Sequence, residues 1–178
     1  MEYKIIRSNR KTISIQVSEN GVIVRAPYYM SDDAIRRYVE KHSDWLSEHI
    51  RKMKDEPPVE KLSPDEIRHL ADQAMRVIPE RVKYYAPLVG VTYGRITIRN
   101  QKTRWGSCSA KGNLNFNCLL MLAPPQVLDS VVVHELCHRK EMNHSKAFYE
   151  EVRRVYPEYD RWNRWLKENG NALMRSNP

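Results

Sequence analysis

The residues of this chain best suited to chemistry are His134, Glu135 and His138, in the stretch Val131-Val132-Val133-His134-Glu135-Leu136-Cys137-His138, with His144 six residues further on. On a helix, positions four apart stand one above the other, so both imidazoles can bind a single metal ion. Glu135 lies roughly 100° further round the helix. There it is badly placed to be a third ligand and well placed to take a proton from a water that the metal activates. The spacing makes it the candidate general base.

Context strengthens the short HExxH pattern. Three β-branched residues precede His134, which suits a buried helix, and two imidazoles and a carboxylate left unpaired in such a setting would be costly. His144 supplies a third nitrogen. A straight helix would carry it roughly 9 Å along the axis from residue 138, so the helix must end and the chain fold back. Asn143 can take a left-handed or capping conformation, and Asn143 or Ser145 can cap the next helix. Three protein ligands with one open position is the arrangement of a catalytic zinc, whereas structural zinc sites take four. Glu150, Glu151 and Glu158 are alternative third ligands or solvated helix residues. Three imidazoles also accept other divalent transition ions.

The elements that must position these groups are legible in outline. A chain of 178 residues with 41% apolar content supports one proper core plus a small N-terminal subdomain, with the boundary placed between 1–56 and 57–178. Ile13, Ile15 and Val17, then Glu19-Asn20-Gly21, then Val22 and Val24 predict a β-hairpin. From Ser31-Asp32-Asp33 a capped helix is expected to run to about Lys54, with Ile35, Tyr38, Val39, Trp45, Leu46 and Ile50 as its apolar stripe. Asp55-Glu56-Pro57-Pro58 ends it and is the candidate linker.

Ser63-Pro64-Asp65-Glu66 starts a second helix carrying Ile67, Leu70, Ala71, Ala74 and Val77; it meets Pro79, resumes over Arg81 to Tyr85 and stops near Pro87 and Gly90. Residues 91–99 alternate as a strand, and Asn113 to Leu122 form another, before Pro124-Pro125 opens the metal-binding helix. In the second strand Leu114, Phe116, Cys118 and Leu120 share one face, and Asn113, Asn115 and Asn117 the other. Asparagines are poor strand formers. That face either lines a wet groove, with Asn115 and Asn117 as candidate substrate contacts, or is simply solvated. Downstream, Phe148, Val152 and Val155 and then Trp162, Trp165 and Leu166 read as core stripes on helices packed against the metal helix, the last of them short.

Between the two strands lies Thr103-Arg104-Trp105-Gly106-Ser107-Cys108. RWGSC, Gly112-Asn113-Leu114, Asn117, Ala123-Pro124-Pro125, HELCH and Asn143-His144-Ser145 together closely resemble the YgjP-like metallopeptidase domain, over nearly the whole chain. That family is akin to the SprT-like and WLM zinc proteases. The resemblance implies an α+β, zincin-like fold: a small mixed or antiparallel sheet packed on the HExxH helix, preceded by an N-terminal β-hairpin and helix. It implies His134, His138 and His144 as zinc ligands and Glu135 as the catalytic carboxylate, in agreement with the spacing. Tyr149 stands where a tryptophan is common, and Glu141 where metzincins have glycine, so the chain is not a metzincin.

Charge adds a further expectation. From Arg81 to Leu128 there are seven basic residues, Arg81, Lys83, Arg95, Arg99, Lys102, Arg104 and Lys111, and no acidic one, against a net charge of +8. The segment is either an ordinary solvated surface or a guide for an anionic partner such as nucleic acid or nucleotide. Arg104, within the RWGSC motif, is the candidate for holding a substrate carbonyl or phosphate. No apolar run of membrane-spanning length and no signal-peptide core is visible, and Cys108, Cys118 and Cys137 lack CxxC spacing, which points to a cytoplasmic protein without disulfides or membrane attachment. The reading is a zinc metallopeptidase acting on a peptide or protein substrate. The alternatives are a metal-dependent nucleotide pyrophosphatase and a nucleic-acid-associated protease. Oligomeric state leaves no trace in the sequence.

Overall fold

The structure, a computed structural model, describes residues 2–18, 21–55 and 58–178. The Glu19-Asn20 part of the expected turn and the Glu56-Pro57 part of the expected linker lie outside the described residues. Contacts divide the chain into two compact units, Met1–Pro58 and Val59–Pro178.

In the first unit β1 (Lys4–Ser8), β2 (Ser14–Ser18) and β3 (Gly21–Pro27) form a sheet of order β1-β3-β2. β2 and β3 are the antiparallel hairpin, and β1 is a parallel strand that the sequence reading did not find. Alternation along β3 buries Val22, Val24 and Ala26 against Ile35, Val39 and Leu46. The single long helix expected from Ser31 is two, α1 (Asp32–Lys41) and α2 (Ser43–Asp55). The break falls at His42, whose φ of −108° and ψ of 16° leave the helix while its Nδ1 donates to the Tyr38 carbonyl at 2.7 Å. The break resets the phase of the apolar stripe, so Leu46 is buried and Trp45 is 42% exposed.

The second unit opens with α3 (Pro64–Val89), held at its start by a capping box between Ser63 and Glu66 and at its end by Gly90 in the left-handed region, φ 78°. It runs through Pro79 without the expected interruption. Pro79 forfeits one helical bond, to the carbonyl of Met75, a solvent-exposed residue, while the buried neighbours Ile78 and Val82 hold the helix on the core. β4 (Ile96–Arg99), β5 (Gly106–Cys108) and β6 (Leu114–Asn117) form a mixed sheet of order β4-β6-β5, β6 being parallel to β4 and antiparallel to β5. The strand expected over 91–99 is thus only its last four residues. The one expected over Asn113 to Leu122 stops at Asn117, whose side-chain oxygen accepts from Leu119 N and caps a 3₁₀ helix, Cys118–Leu122.

α4 (Pro125–Cys137) starts at the proline pair, and α5 (Lys146–Val155) and α6 (Tyr159–Arg175) follow, α6 being longer than expected. α4 is buried nearly all round, among Leu114 and Phe116 from the sheet, Ile78 and Val82 from α3, and Phe148 and Val152 from α5. The fold is α+β, with its small mixed sheet packed on the helix that carries HExxH. Among the described residues no helix is long and apolar enough to cross a membrane.

One polar junction fixes α4 against α3. Asp129 is 9% exposed and receives Arg81 through two bonds of 2.6 and 2.7 Å and the Tyr85 hydroxyl at 3.2 Å. Burial, reinforced by the Asp129 charge, pushes the Tyr85 phenol up to about 12, so it stays a proton donor. Asp129→Asn should therefore lower the unfolding free energy by about 2 kcal/mol, because Arg81 loses its ionic partner in a half-buried place. The shift of the urea midpoint measures this, and an unmoved midpoint would show that the junction orients α4 without stabilising it.

Candidate active site

His134 sits in the last turn of α4, and His138 is the residue that caps it, still in right-handed helical geometry. The chain then turns through 139–144, and Ser145 caps α5 by accepting from Phe148 N at 3.2 Å. The expected fold-back is therefore present, with Ser145 as the cap. Asn143 is not left-handed, since no described residue other than glycine has positive φ. His144 returns to the helix, its Nε2 3.0 Å from that of His134. Two nitrogens on one tetrahedral zinc stand about 3.3 Å apart, so the spacing suits a shared ion. Among the described residues His134, His138 and His144 make the one metal-competent group, with donor atoms within 4.8 Å of one another.

Neighbouring groups select the nitrogen that each ring presents. His138 Nδ1 donates to the Glu141 carbonyl at 3.0 Å, which leaves its Nε2 with a free lone pair. His134 Nδ1 lies 2.9 Å from the Tyr159 hydroxyl; with Nε2 as ligand, Nδ1 carries the proton and the phenol oxygen accepts it. Burial, with the two neighbouring imidazoles adding to it, depresses the His134 pKa to about 3, and burial also lowers that of His138. Both rings are held neutral, the form that binds a metal. The residues fit a divalent transition ion.

The downstream glutamates are engaged elsewhere. Glu150 pairs with Lys146, Glu158 with Arg161, and Glu151 with both Lys140 and Arg154. Lys140 belongs to the turn between the second and third histidines, so Glu151 ties that turn to α5. Arg154 also donates to the Leu88 carbonyl, which extends the tie to the end of α3.

Glu135 is 5% exposed, its Oε2 has no hydrogen-bond partner, and burial pushes its pKa up to about 8 against the opposing pull of Arg104. β5 passes so close that a Cβ on Gly106 would lie 2.6 Å from Glu135 Oε1, which explains the glycine after Trp105. Beside the carboxylate is a cavity of about 210 Å³ lined by Trp105, Val131, His134, Glu135, Tyr159 and Leu166 among others. Arg104 is exposed at the approach to β5, near enough for its charge to act on Glu135.

The two candidate asparagines are not brought to this place. Asn117 is fully buried, its amide donating to the Gln101 and Arg104 carbonyls at 2.8 and 3.1 Å, so it shapes the loop before β5 and faces no groove. Asn115 pairs across the sheet with Ser107, its amide 3.2 Å from that hydroxyl. Alternation puts those two on the face opposite Gly106 and Phe116, away from Glu135. Of the basic segment, Arg81 is neutralised by Asp129 and Lys102 donates to the Pro178 carbonyl, while Arg95, Arg99 and Arg104 are exposed. Sequence reasoning missed Tyr159 and took Phe148 for ordinary core. No spacing links either to HExxH, and only the glycine-free start of α6 after Pro157 hints at an ordered element there.

The sequence matches the family profile described as YgjP-like, metallopeptidase domain over residues 11–70 and 65–169. A curated relative, UTP pyrophosphatase of Escherichia coli (strain K12), is 36% identical over 58 residues, which are 33% of this chain and 35% of that protein. The chain thus aligns with about a third of that relative's length. The solved metallopeptidase zymogen of Pyrococcus abyssi, abylysin, is similar with a TM-score of 0.47 and 21% identity, covering 52% of this chain and 94% of that one. The jannalysin zymogen of Methanocaldococcus jannaschii gives 0.47 and 22%, covering 53% and 97%.

Two outcomes follow from the site's supports. Tyr159→Phe removes only the hydroxyl that fixes the His134 ring and should weaken zinc binding by about 10- to 100-fold, measured by competition with a chelator, with an unchanged circular dichroism spectrum. Glu151→Gln tests the tie on the histidine turn. The Glu151 carboxyl is lowered from 4.5 to about 2, first by Arg154 and then by Lys140, so its contribution is present above about pH 4.5 and is lost as pH falls towards 2. At neutral pH the variant should be less stable by about 1 kcal/mol, the exposure of both cations limiting the effect. The difference between the two proteins should vanish near pH 2, and a difference constant with pH would contradict this.

Proposed function

The chain belongs to the YgjP-like metallopeptidase domain family, and from that premise we propose that it is a zinc-dependent peptidase in which His134, His138 and His144 hold the metal and Glu135 is the general base. The observation that carries the reading is the pairing of an unpartnered, buried carboxylate with three imidazoles whose metal-facing nitrogens converge. A divalent ion held there would polarise the scissile carbonyl and acidify water.

The protein's own groups do the rest. Glu135, raised towards neutrality by its burial, can take a proton from the attacking water and return it to the leaving amine. Arg104 offers a guanidinium to the substrate carbonyl oxygen at the mouth of the site. The peptide itself cannot pair with β6, because β4 and β5 occupy both its edges. Of the two edge strands, β5 is the one beside Glu135. Trp105 and Ser109 bond towards the β6 strand, Asn117 N reaching Trp105 O at 2.8 Å and Ser109 N reaching Asn113 O at 2.9 Å. The N–H and C=O groups of Gly106 and Cys108 therefore point the other way, free to receive an extended chain beside Glu135. Three free cysteines suit a cytoplasmic setting.

A second reading keeps the site and directs its water at a phosphoanhydride. It is favoured by the relative named UTP pyrophosphatase and by the exposed Arg95, Arg99 and Arg104, which would also suit a nucleic acid. Zinc-loaded protein incubated with a peptide library and, separately, with UTP decides between them. Peptide cleavage with UTP left intact is expected, and Glu135→Gln should reduce it by at least about 100-fold without loss of zinc, since an amide cannot accept the proton. Full activity in that variant would remove Glu135 from the chemistry.

A further inference from the structure

Two tyrosines of the first unit are held out into solvent by the residues around them. Tyr28 and Tyr29, just past β3, are 68% and 77% exposed, the highest values for large apolar side chains among the described residues, and neither ring meets another ring or a cation there. The turn that carries them is nevertheless fixed. Arg7 Nη1 donates to the Pro27, Tyr28 and Met30 carbonyls, while its Nη2 pairs with Asp32 at the start of α1. The Tyr29 hydroxyl donates to the Lys11 carbonyl at 3.3 Å, which joins this turn to the β1–β2 loop at the same end of the sheet. Rings presented in this way lose little freedom when a planar partner settles on them.

Positive charge gathers at the same end. Lys11 and Arg25 are exposed, and neither they nor Arg10 have an acidic partner among the described residues; Asp32 is taken by Arg7, which leaves Asp33 as the acid beside three cations. The strand register continues the pattern: Lys4, Ile6, Ser14, Gln16 and Ile23 share with Arg25 the sheet face opposite Val24 and the helices, and among the described residues no acid stands on it. We propose that this end of the first unit binds single-stranded nucleic acid, with bases stacked on Tyr28 and Tyr29 and phosphates received by Arg10, Lys11 and Arg25; the proposal is independent of the peptidase reading. Every base has a π-face, so two rings beside cations hold a strand without regard to its sequence. A duplex keeps its bases stacked on one another and offers these cations only its phosphates. An acidic protein segment would satisfy the cations and leave both ring faces without a planar partner.

Fluorescence anisotropy of the full chain with labelled oligo-dT and oligo-U of about twelve nucleotides tests this, beside a duplex and an abasic strand of the same length. Both single strands should bind at low salt, at least about 10-fold more tightly than the duplex or the abasic strand, and the tighter of the two identifies the source as DNA or RNA. Replacing both tyrosines, Tyr28→Ala with Tyr29→Ala, should remove that advantage and leave the salt slope unchanged, while Tyr28→Phe with Tyr29→Phe should keep it within about threefold. Arg10→Glu with Lys11→Glu should instead flatten the slope, because fewer counterions are released. An unchanged circular dichroism spectrum and zinc content accompany each expected result. No binding at low salt, equal affinity for the abasic strand, or binding lost only on Arg95→Glu with Arg99→Glu would overturn the proposal. So would tyrosine-dependent binding to phosphatidylserine vesicles in place of either strand, which would give the surface to a membrane.

Discussion

Phe148 is fully buried beneath the three imidazoles, its ring centroid 4.9, 4.6 and 4.9 Å from those of His134, His138 and His144. An apolar floor of this kind keeps water off one side of the rings, and the burial of His134 and His138 makes the protonation of those two expensive, so they are held as neutral donors. The same floor fixes the return of the chain, because Phe148 N is the group that Ser145 caps. One residue thus joins the start of α5, the floor beneath the trio and the placement of His144. The rest of the larger unit serves this seat: α3 and the sheet bury α4, and the Arg81–Asp129 junction sets its position along the core.

The sheet contributes by closeness more than by pairing. Gly106 lets β5 come within contact distance of the Glu135 carboxylate, and Asn117 holds the loop that delivers Gly106 by bonding two of its carbonyls. The segment just past α6 supports the same loop, Asn177 receiving Asn100 at 2.9 Å, and Ser176 ties it to the approach to α3 by receiving Leu62 N at 2.8 Å. Arg139, immediately after His138, lies over Gly112 and donates to the Thr92 and Ala110 carbonyls. Residues that look like a binding motif in the sequence, RWGSC and GNLNFN, are therefore largely the means by which backbone approaches the carboxylate and is kept there.

What was legible in the sequence was what local periodicity and capping chemistry can encode. His134 and His138 at helical spacing, the β2–β3 hairpin, the Ser63 cap and the proline start of α4 all depend on residues within one or two turns of each other. What was missed depends on partners distant in the chain. β1 is defined by its parallel pairing with β3, Pro79 is tolerated because its neighbours are buried, and Asn117 reads as a groove contact although its amide is engaged by carbonyls of another loop. Tyr159 is 25 residues from the histidine it touches. The pairing of Arg81, first of the seven cations, was hidden for the same reason, since the acid that neutralises it falls one residue beyond the segment's end, at Asp129.

α4 ends at Cys137 with His138 as its cap, so the trio gathers around the carboxyl end of a helix rather than its middle. Aligned peptide dipoles give such an end the equivalent of about half a negative charge, concentrated in the last turn. The backbone itself therefore draws a cation towards the histidines before any side chain is counted. This attraction is blind to chemical identity and favours every divalent ion alike. Discrimination among metals falls entirely to the imidazoles, and the order in which ions compete for this chain should follow the preferences of nitrogen donors.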